Sequence, residues 1–424
     1  MAGGKGTRIS SVASDIPKPM IKIGDKPVLQ HQIELFREYG FNKIYISISH
    51  LGNVIKDYFG DGSKFGIEIE YLEEKIPMGT AGCLRLLKDK SATYILVNGD
   101  IMINFDVDRM LKCHHANGAD ITLFTHPNSH PFDSALIETA DNGRVTAWHN
   151  KEDYRSDYKN RVNAGIHIID MDTIDFSQDI WEKDKVDLDR EIIKPNLNSL
   201  KVFAYDSPEY VKDMGTPERY MRVCEDYEKG RVSGRNLNKR QRAIFLDRDG
   251  TINRHVGFLN KSEQMELLDG AAVAIKKIND SNYLALVVTN QPVIARGECS
   301  VEELQKIHNK MEKLLGDCGA YVDDIVYCPH HPDKGFEGEI TELKIDCDCR
   351  KPKPGMLLSL AEKYNVDLSH SYMIGDGQSD VMAGKNAGCK TVYIGERLWD
   401  LDEKPDYITG NLQDAVNLIL DREL

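Results

Sequence analysis

Short, wholly apolar runs alternate with amphipathic stretches along most of the chain. In the second half, the apolar runs cover residues 243–246, 283–288 and 372–374. The first half has a similar run at residues 94–97, and stretches in which apolar and polar residues alternate at 43–49 and 66–71. Runs of this kind are typical of strands buried in an α/β sheet, and the stretch at 28–39 between them has a helical pattern. The pattern predicts an α/β protein with doubly wound sheets. One of its predicted helices covers residues 269–279 and has Asp269 as its N-cap.

The length of the chain predicts more than one domain. Its 424 residues exceed what a single hydrophobic core normally supports. We expect one domain at 1–228 and another at 242–424. The stretch 229–241 between them has little apolar content and carries cations such as Arg231 and Arg240. It is typical of an exposed interdomain linker, and the alternative is a short arm that binds nucleic acid.

Composition narrows the classes of partner. The net charge of −14 argues against nucleic acid or an anionic membrane as a general partner, whereas a phosphorylated metabolite in a local basic pocket stays possible. No window of 18 apolar residues occurs, and the first 20 residues lack the core of a signal peptide. We therefore expect a cytoplasmic protein and leave a homo-oligomer open. Nine cysteines in such a chain do not predict a disulfide framework.

Polar residues follow the apolar runs of the second half. They are Asp247 and Asp249, then Thr289 and Asn290, and then Asp376. The carboxyl ends of parallel strands meet at one edge of a sheet, and carboxylates at i and i+2 leave a strand on the same side. Together with the nearby cation Lys351, these groups suit chemistry through an aspartyl-phosphate. The alternative for Asp247 and Asp249 is an ordinary polar turn.

Residues 241–424 resemble the haloacid dehalogenase superfamily of phosphatases. The resemblance lies in the order Asp-x-Asp-Gly-Thr251, Thr-Asn290, Lys351 and Gly-Asp-x-x-x-Asp380. It implies a Rossmann-like sheet without a large cap, with Asp247 as nucleophile and Asp249 as general acid and base. Thr289 and Lys351 are implied to hold the phosphoryl oxygens. The implied ligands of Mg²⁺ are Asp247, the backbone carbonyl of Asp249, and Asp376, while Asp380 is either part of the site or a helix cap.

A second group of residues has the chemistry of a metal site. Cys328 and His330, and Cys347 and Cys349, form two pairs at i and i+2 that can close a tetrahedral zinc site. The alternatives are unconnected thiols, or His331 in place of His330. The group resembles the zinc-binding branch of these phosphatases, in which the zinc would be structural. The 16 residues between His330 and Cys347 are more than that branch usually has.

Substrate preference depends on the segment 289–297, which resembles the heptose bisphosphate phosphatases more than the histidinol phosphate phosphatases of that branch. We expect Asn290 to contact the substrate, and Arg296 and Arg350 to bind a second phosphate. Gly377 stands where the branch often has a lysine. Phe258 and Leu259 either shape the pocket or only pack.

The start of the chain is rich in glycine and has two cations that suit a nucleoside triphosphate. Backbone N–H groups of such a loop can approach phosphate oxygens, and Arg8 and Lys18 can neutralise their charge. The alternative is a flexible terminus. Asp100 comes just after the run at 94–97, where open α/β sheets place ligand and metal groups.

Residues 1–225 resemble the sugar-phosphate nucleotidyltransferase family. The resemblance lies in the motifs Gly-Gly-Lys-Gly-Thr-Arg8, Pro-Lys-Pro-Met20, Pro-Met-Gly-Thr-Ala-Gly82, Asn-Gly-Asp100, Val-Asn-Ala-Gly-Ile166 and Asp-Met-Gly-Thr-Pro217. It implies triphosphate binding by Gly3, Gly4, Gly6, Thr7, Arg8 and Lys18, and base contacts from Gly79, Thr80 and Gly82. Asp100 and Asp213 are implied to bind Mg²⁺, and Asn163 and Gly165 to contact the sugar. Lys151 either contacts the sugar phosphate or is a solvated lysine.

Two further expectations follow from this resemblance. Residues 10–18 resemble the heptose 1-phosphate guanylyltransferase branch, which implies GTP and a heptose phosphate as substrates. Members of the family begin with an apolar strand before the glycine loop, and we expect the sheet of this domain to lack that strand, because Met1 stands where it would end.

The sequence therefore predicts a bifunctional enzyme of GDP-heptose synthesis for surface glycans. One domain would remove the 7-phosphate of a heptose 1,7-bisphosphate, and the other would transfer GMP from GTP to the 1-phosphate. The alternatives are a phosphatase fused to a transferase for another hexose 1-phosphate, or to a truncated, weakly active domain that binds nucleotide and regulates.

Overall fold

The computed structural model describes residues 16–395 and 403–422, and the chain divides into two compact units. The first unit comprises Met1–His126, Ile137–His149 and Asn163–Asn236. The second unit comprises Pro127–Leu136, Asn150–Val162 and Leu237–Leu424. The second unit thus includes two segments from the N-terminal half of the chain.

The first unit is a mixed α/β structure. Its strands are β1 (Lys22–Ile23), β2 (Lys26–Pro27), β3 (Lys43–Ile48), β4 (Glu68–Glu73), β5 (Thr93–Val97), β6 (Ile101–Asn104), β7 (Ile121–His126), β8 (Leu136–Thr139), β9 (Val145–His149), β10 (Val162–Asp170), β11 (Val202–Asp206) and β12 (Tyr210–Asp213). Its helices are α1 (Val28–Glu38), α2 (Gly52–Phe59), α3 (Val107–Asn117), α4 (Pro217–Glu228) and α5 (Arg231–Gly234). The strands and the helix expected between residues 28 and 97 are thereby confirmed.

The largest sheet of the first unit has six strands. Its order is β11-β7-β10-β8-β9, and β5 pairs antiparallel with β10. Strands β3 and β4 form a separate parallel pair, as β6 and β12 form an antiparallel one. Among the described strands, none pairs with the second edge of β3 or of β5. The apolar residues of β5 are accordingly only half-buried, although their pattern is typical of a central strand.

Helix α1 shows how the first unit builds its core. Leu29, Ile33 and Phe36 recur at helical spacing and are buried. Leu29 and Ile33 join the core that covers β3 and β4, while Phe36 packs with residues of β6 and β10. The helix thus supplies apolar cover to both strand groups.

The second unit is organised around one parallel sheet. Its strands are β13 (Arg242–Leu246), β14 (Tyr283–Asn290), β15 (Asp324–Cys328), β16 (Tyr372–Gly375), β17 (Lys390–Ile394) and β18 (Tyr407–Thr409). Its helices are α6 (Ala271–Asn279), α7 (Pro292–Ala295), α8 (Val301–Asp317), α9 (Gly355–Tyr364), α10 (Gln378–Ala387) and α11 (Leu412–Asp421). The strand order is β15-β14-β13-β16-β17-β18, and all neighbouring pairs are parallel.

Helices cover both faces of this sheet. Along β13, Ile244 and Leu246 face a core shared with α6, α8 and α11. Ala243 and Phe245 face a second core shared with α9 and α10. All four side chains are fully buried, because successive residues of a strand point to opposite faces. The expected doubly wound sheet is confirmed for this unit.

Two local expectations differ from the structure. Helix α6 begins at Ala271 after Gly270, which adopts a left-handed conformation, so Asp269 is not its cap. The stretch 229–241 contains α5 and is exposed only in part: Lys239 and Arg240 are exposed as expected, whereas Arg231 is buried. Arg231 explains the difference, since its guanidinium lies 2.9 Å from the buried carboxylate of Asp226.

The N-terminal segments of the second unit are held by buried polar contacts. The Arg161 guanidinium donates to the carbonyl of Asp323 at 2.8 Å and lies 3.6 Å from the Glu312 carboxylate on α8. Both side chains are buried, so this pair is shielded from solvent.

Within the described residues, no helix is long and apolar enough to cross a membrane.

Candidate active sites and metal centre

The parallel sheet of the second unit gathers polar residues at its carboxyl edge. Asp247 directly follows β13, Thr289 lies at the end of β14, Cys328 ends β15, and Asp376 follows β16. Because all these strands run in one direction, their side chains emerge at the same edge. The structure therefore brings together the residues that the sequence had placed at three strand ends.

Lys351 is the buried centre of this group. Its Nζ lies 2.6 Å from Asp247 Oδ1 and 2.6 Å from Asp380 Oδ1, and it donates to the carbonyl of Val288 at 2.8 Å. Burial lowers the pKa of Lys351, but the two carboxylates outweigh this effect and raise the pKa above its ordinary range. Lys351 therefore stays charged between two acids.

Asp380 belongs to the same group. Its Oδ2 accepts the backbone N–H of Gly377 at 3.0 Å at the start of α10, while its Oδ1 meets Lys351. Both roles that the sequence left open for Asp380 are thus present at once. Burial raises the pKa of Asp380, so its ionised form depends on the nearby cation.

Three carboxylates at this edge can hold a metal ion. Oxygen atoms of Asp247, Asp376 and Asp380 lie within 4.8 Å of one another. Burial raises the pKa of Asp247 to about 6, and burial followed by the charge of Asp247 raises the pKa of Asp376 to about 6. Buried oxygens whose charges repel one another fit a hard divalent cation such as Mg²⁺.

Gly250 permits the close approach of Asp376. It has a φ of +88°, and a Cβ at this position would lie 2.0 Å from Asp376 Oδ2. Any larger residue would therefore displace the carboxylate. The glycine of the Asp-x-Asp-Gly motif is thus explained by the space that Asp376 occupies.

Asp249 is held differently from Asp247. Arg248 Nη2 donates to both of its carboxylate oxygens, at 3.0 and 2.7 Å, and Asn253 and Gln291 each donate to it at 2.9 Å. Burial raises the pKa of Asp249, but the charge of Arg248 and these hydrogen bonds outweigh burial and lower it. Asp249 is therefore ionised in the ligand-free protein.

Arg248 is itself fixed from helix α8. Its side chain is fully buried, and its Nη1 donates to His308 Nε2 at 3.1 Å. Burial, followed by the charge of Arg248, lowers the pKa of His308 to about 3, so the imidazole is neutral and can accept. The sequence analysis missed Arg248, His308 and Gln291. Arg248 lies within the Asp-x-Asp motif and Gln291 within the segment 289–297, but neither motif indicates which residue the side chain contacts.

The two residues at the end of β14 have different surroundings. Thr289 is buried at the sheet edge, and its Oγ1 accepts from Gln291 Nε2 at 2.8 Å. Asn290 instead bonds to the backbone of Lys351 in both directions, each at 3.0 Å. Its amide therefore fixes the loop that carries Lys351.

Cys328, His330, Cys347 and Cys349 form a four-residue cluster beside this loop. The three sulfurs are separated by 3.5, 3.3 and 3.2 Å, and His330 Nδ1 lies 3.3 Å from Cys349 Sγ. Ligands at about 2.3 Å from a tetrahedral zinc ion lie slightly under 4 Å apart, so the donor set and its spacing fit zinc.

The structure brings His330, and not His331, to this cluster. His331 Nδ1 accepts the N–H of Asp333 at 3.2 Å, and its Nε2 lies 3.4 Å from Arg296 Nη2. Arg350 Nη1 donates to the carbonyl of His330 at 3.1 Å. Burial, followed by the charges of Arg350 and Arg296, lowers the pKa of His331. The two arginines thus flank one imidazole.

Phe258 and Leu259 have different roles. The Phe258 side chain is half exposed, and its ring lies 4.2 Å from the Arg296 guanidinium carbon. Leu259 is buried in the core of the second unit. Of the two, only Phe258 can therefore shape a pocket.

In the first unit, Asp100 and Asp213 lie at adjacent strand ends. Strand β12 pairs with β6 so that Asp213 is opposite Ile101, the residue after Asp100. Lys18 Nζ lies 3.0 Å from Asp100 Oδ2, and Arg219 Nη1 lies 3.0 Å from both oxygens of Asp213. Carboxylate oxygens are the ligands that Mg²⁺ prefers, and each of these two carboxylates is paired with a cation in the structure.

The segment with Gly79, Thr80 and Gly82 packs on the chain around Val186. Gly79 has a φ of +83°, and a Cβ there would lie 2.4 Å from the carbonyl oxygen of Val186. Thr80 Oγ1 accepts the N–H of Leu188 at 2.8 Å. The segment is therefore held against the chain at 186–188, and position 79 has no space for a side chain.

Asn163 and Gly165 lie beside the end of β5. Asn98 N–H donates to the carbonyl of Gly165 at 3.1 Å. Asn163 Nδ2 donates to Asp189 Oδ2 at 3.0 Å, and His167 Nε2 lies 3.1 Å from Asp189 Oδ1. The sequence analysis missed Asp189 and His167, because no motif links them to Asn163.

The remaining residues expected at the transferase site are Lys151 and those of the glycine loop. Lys151 is exposed in the segment Asn150–Val162 of the second unit, and no described residue forms a hydrogen bond or ion pair with it. The residues predicted to form the glycine loop, Gly3, Gly4, Gly6, Thr7 and Arg8, lie outside the described residues.

Comparisons with known proteins match both parts of the chain. A sequence model of the nucleotidyl transferase family matches residues 1–230, and one of the HAD-hydrolase-like family matches residues 348–415. The chain is 38% identical over 183 residues to the D-glycero-beta-D-manno-heptose-1,7-bisphosphate 7-phosphatase of Pasteurella multocida strain Pm70, which covers 42% of this chain and 97% of that protein.

Two further similarities each cover one part of the chain. The D-glycero-alpha-D-manno-heptose-1,7-bisphosphate 7-phosphatase of Photorhabdus laumondii is 40% identical over 153 residues, which are 36% of this chain and 81% of that protein. The crystal structure of HddC from Yersinia pseudotuberculosis is 23% identical, with a TM-score of 0.46, and covers 53% of this chain and 96% of that one.

Proposed function

We propose two linked activities for this chain. Through residues 1–230 the chain belongs to the nucleotidyl transferase family. Through its C-terminal part it belongs to the family of its heptose-bisphosphate phosphatase relatives. The first is hydrolysis of the 7-phosphate of a D-glycero-D-manno-heptose 1,7-bisphosphate. The second is transfer of GMP from GTP to the resulting 1-phosphate. The observation that carries the proposal is the buried group of Asp247, Lys351 and Asp380, in a chain that also has the transferase motifs.

In the phosphatase step, Asp247 acts as the nucleophile. One of its carboxylate oxygens attacks the 7-phosphorus, the phosphorus–oxygen ester bond breaks, and the sugar alkoxide takes a proton from Asp249. Water then attacks the aspartyl-phosphate and gives a proton to Asp249, which releases phosphate and restores Asp247. The lowered pKa of Asp249 suits the second step, and the bound phosphate dianion raises this pKa for the first.

Asp247, Asp376 and the backbone carbonyl of Asp249 would hold Mg²⁺, and Asp380 is close enough to Asp247 and Asp376 to contribute. The ion would offset the repulsion between the carboxylates and the phosphate. Thr289 and Lys351 would bind the phosphoryl oxygens. Lys351 is already charged and buried beside Asp247, so it can neutralise the transferring group without a change of protonation.

Arg296 and Arg350 would bind the other phosphate of the substrate. Among the described residues, no carboxylate lies within 4 Å of either guanidinium. Guanidinium groups without an acidic partner retain their affinity for phosphate. This recognition would direct hydrolysis to the 7-position and leave the 1-phosphate for the next reaction.

In the transferase step, an oxygen of the sugar 1-phosphate attacks the α-phosphorus of GTP, and pyrophosphate leaves. Lys18, with the glycine loop and Arg8, would hold the triphosphate, while Gly79, Thr80 and Gly82 would lie by the base. Asp100 and Asp213 would hold Mg²⁺, and Asn163 and Gly165 would contact the sugar. Catalysis of this kind depends on positioning and charge neutralisation.

The product of the first reaction is the substrate of the second, which is why we assign both to one sugar. The nucleotide-activated heptose would serve the synthesis of surface glycans. We place both reactions in the cytoplasm and assign residues 1–228 to the transferase and 242–424 to the phosphatase.

The test is an assay of the full chain with Mg²⁺, heptose 1,7-bisphosphate and GTP, in which phosphate and pyrophosphate are followed separately. Both anomers of the bisphosphate should be supplied, because the relatives are named for both. We expect release of both products. Phosphate without pyrophosphate would overturn the transferase assignment, and pyrophosphate with another hexose 1-phosphate alone would overturn the choice of sugar.

Asp100→Ala should separate the two activities. Loss of this carboxylate removes a proposed metal ligand and the partner of Lys18, so we expect pyrophosphate release from GTP and heptose 1-phosphate to fall by about 100-fold or more. Phosphate release from the bisphosphate should stay at the wild-type rate. Asp172→Ala, at an exposed position of the same unit, is the matched control and should change neither rate. Unaltered pyrophosphate release in Asp100→Ala would contradict the assignment.

We assign a structural zinc ion to the cysteine cluster, because four protein donors leave no open position for chemistry. Cys347→Ser should therefore lose the bound zinc, as measured by elemental analysis of the purified protein. Phosphate release should also fall by about tenfold, because Cys347 and Cys349 come just before Lys351 in the chain and the zinc would fix this segment.

Cys318→Ser is the control for this variant, because Cys318 is exposed and lies outside the cluster. It should retain stoichiometric zinc and the wild-type rate. Zinc retained at full stoichiometry in Cys347→Ser, or absent from the wild-type protein purified without chelator, would show that the assignment is wrong.

A further inference from the structure

The guanidinium of Arg296 lies against two aromatic rings. Its central carbon is 4.2 Å from the ring centre of Phe258 and 4.6 Å from that of Phe336. Its Nη2 lies 3.4 Å from His331 Nε2. An arginine that aromatic rings hold in place, without an acidic partner, is ordered before it binds an anion.

Phe336 belongs to the loop 331–346 between the two pairs of proposed zinc ligands, and the loop fixes this residue firmly. The Glu339 carboxylate accepts the backbone N–H groups of Gly335 and Phe336 at 2.9 and 3.0 Å. Lys344 Nζ lies 4.3 Å from the Phe336 ring centre and donates to the carbonyl of Asp333 at 2.8 Å. The Lys344 side chain is fully buried, so this anchor is not a mobile surface contact.

The loop 331–346 also contacts the end of α7, directly before Arg296. Ile340 N–H donates to the carbonyl of Ala295 at 3.0 Å. Gly297 has a φ of +72°, and a Cβ there would lie 2.0 Å from the carbonyl oxygen of Gly338. The backbone of the loop therefore rests on the residues on either side of Arg296, which explains why glycine occupies position 297.

We propose that Phe336, together with Phe258, is a positioning residue that holds Arg296 ready for the second phosphate of the substrate and so determines preference for a sugar bisphosphate. This inference rests on the proposed function and deepens it. The length of loop 331–346 is explained by this role, because the loop places the Phe336 ring against Arg296. Phe336 itself would touch neither the reacting phosphorus nor Asp247. Its effect should consequently appear in substrate preference rather than in the chemical step.

The test compares two substrates of the full-length, metal-replete enzyme. One is D-glycero-D-manno-heptose 1,7-bisphosphate, and the other is the 7-phosphate of the same sugar, which lacks the second phosphate. The quantity measured is the ratio of kcat/KM for the first substrate to kcat/KM for the second. Wild-type enzyme should show a ratio well above one. In Phe336→Leu the ratio should fall by about fivefold, through a higher KM for the bisphosphate with little change in its kcat.

Two variants separate positioning from a general loss of structure. Phe336→Tyr retains an aromatic ring and should keep the ratio within about twofold of wild type. Phe132→Leu is the matched control, because Phe132 is 65% exposed in another segment of the second unit. It should keep the wild-type ratio. A general loss of folded enzyme in Phe336→Leu would lower both kcat/KM values together and leave the ratio unchanged.

The outcomes distinguish this inference from the function on which it rests. A wild-type enzyme that prefers the bisphosphate, with the same ratio in Phe336→Leu, would overturn the role of Phe336 alone. A wild-type ratio near one would overturn recognition of the second phosphate, and the role of Phe336 with it. A lower ratio in Phe336→Leu that Phe336→Tyr restores supports the proposal.

Discussion

Replacement of Asp247 by Asn should abolish phosphate release from heptose 1,7-bisphosphate, with a fall of about 10³-fold or more. The amide is nearly isosteric with the carboxylate, but it is a poor nucleophile and carries no charge for a divalent metal ion. The substitution also removes one of the two carboxylates that hold Lys351. The measurement is the initial rate of phosphate release at saturating Mg²⁺, with pyrophosphate release from GTP and heptose 1-phosphate followed in parallel.

Pyrophosphate release should remain at the wild-type rate in Asp247→Asn, because that step is assigned to other residues. Asp269→Asn is the matched control, since Asp269 is exposed and does not cap α6. It should change neither rate. Phosphate release in Asp247→Asn within about tenfold of wild type would exclude an aspartyl-phosphate at this position, because loss of a covalent nucleophile normally costs far more.

The sequence was most informative where a side chain is fixed by its place on a strand. Asp247, Thr289 and Asp376 each lie at or just beyond the end of a short apolar run, and all these strands proved parallel. The uninterrupted apolar run at 243–246 likewise predicted that the residues of β13 are buried on both faces. These features follow from the period of a strand and from the direction of the sheet, and both can be predicted from local sequence.

Contacts between distant segments could not be predicted in this way. His308 reaches Arg248 only because α8 packs beside β13, and no local pattern distinguishes His308 from an ordinary buried residue of a helix. Arg231 was expected to be exposed because it lies in a run of cations, whereas pairing with Asp226 buries it. Asp189 lies beside Asn163 for the same reason. In each case the partner is set by tertiary packing, which periodicity does not record.

The unusual length of the loop 331–346 was visible in the sequence, but its function was not. Its charged residues gave no indication that Lys344 would be buried or that Glu339 would bind backbone N–H groups. These contacts turn a polar loop into a fixed support for Phe336. The case shows that a long loop between two proposed metal-ligand pairs can be an ordered element.

Replacement of Lys351 by Met should be the most destabilising single change at the phosphatase site. Lys351 is buried between Asp247 and Asp380, and Met fills a similar volume without charge. Two buried carboxylates would then lack their cation, which typically costs about 3–5 kcal/mol of unfolding free energy. The measurement is the free energy of unfolding of the second unit, obtained by urea denaturation in EDTA at pH 8. Phosphate release should also be lost.

The destabilisation by Lys351→Met should depend on pH in a defined direction. Burial already raises the pKa of Asp247 to about 6 and raises that of Asp380, and loss of the cation would raise both further. A carboxyl group whose pKa is higher in the folded than in the unfolded state gives up stability as the pH rises through its folded pKa. The variant should therefore be closest to wild type near pH 5 and furthest from it near pH 8.

A double variant distinguishes this electrostatic cause from poor packing of the new side chain. Asp247→Asn combined with Lys351→Met removes one carboxylate along with the cation, so part of the stability lost in Lys351→Met should return at pH 8. Lys404→Met, at an exposed position, is the control and should leave unfolding unchanged. If the double variant were less stable than Lys351→Met at both pH values, lost packing would be the dominant cause. In that case the burial of Lys351 would be a structural feature, and its charge would matter only for binding phosphate.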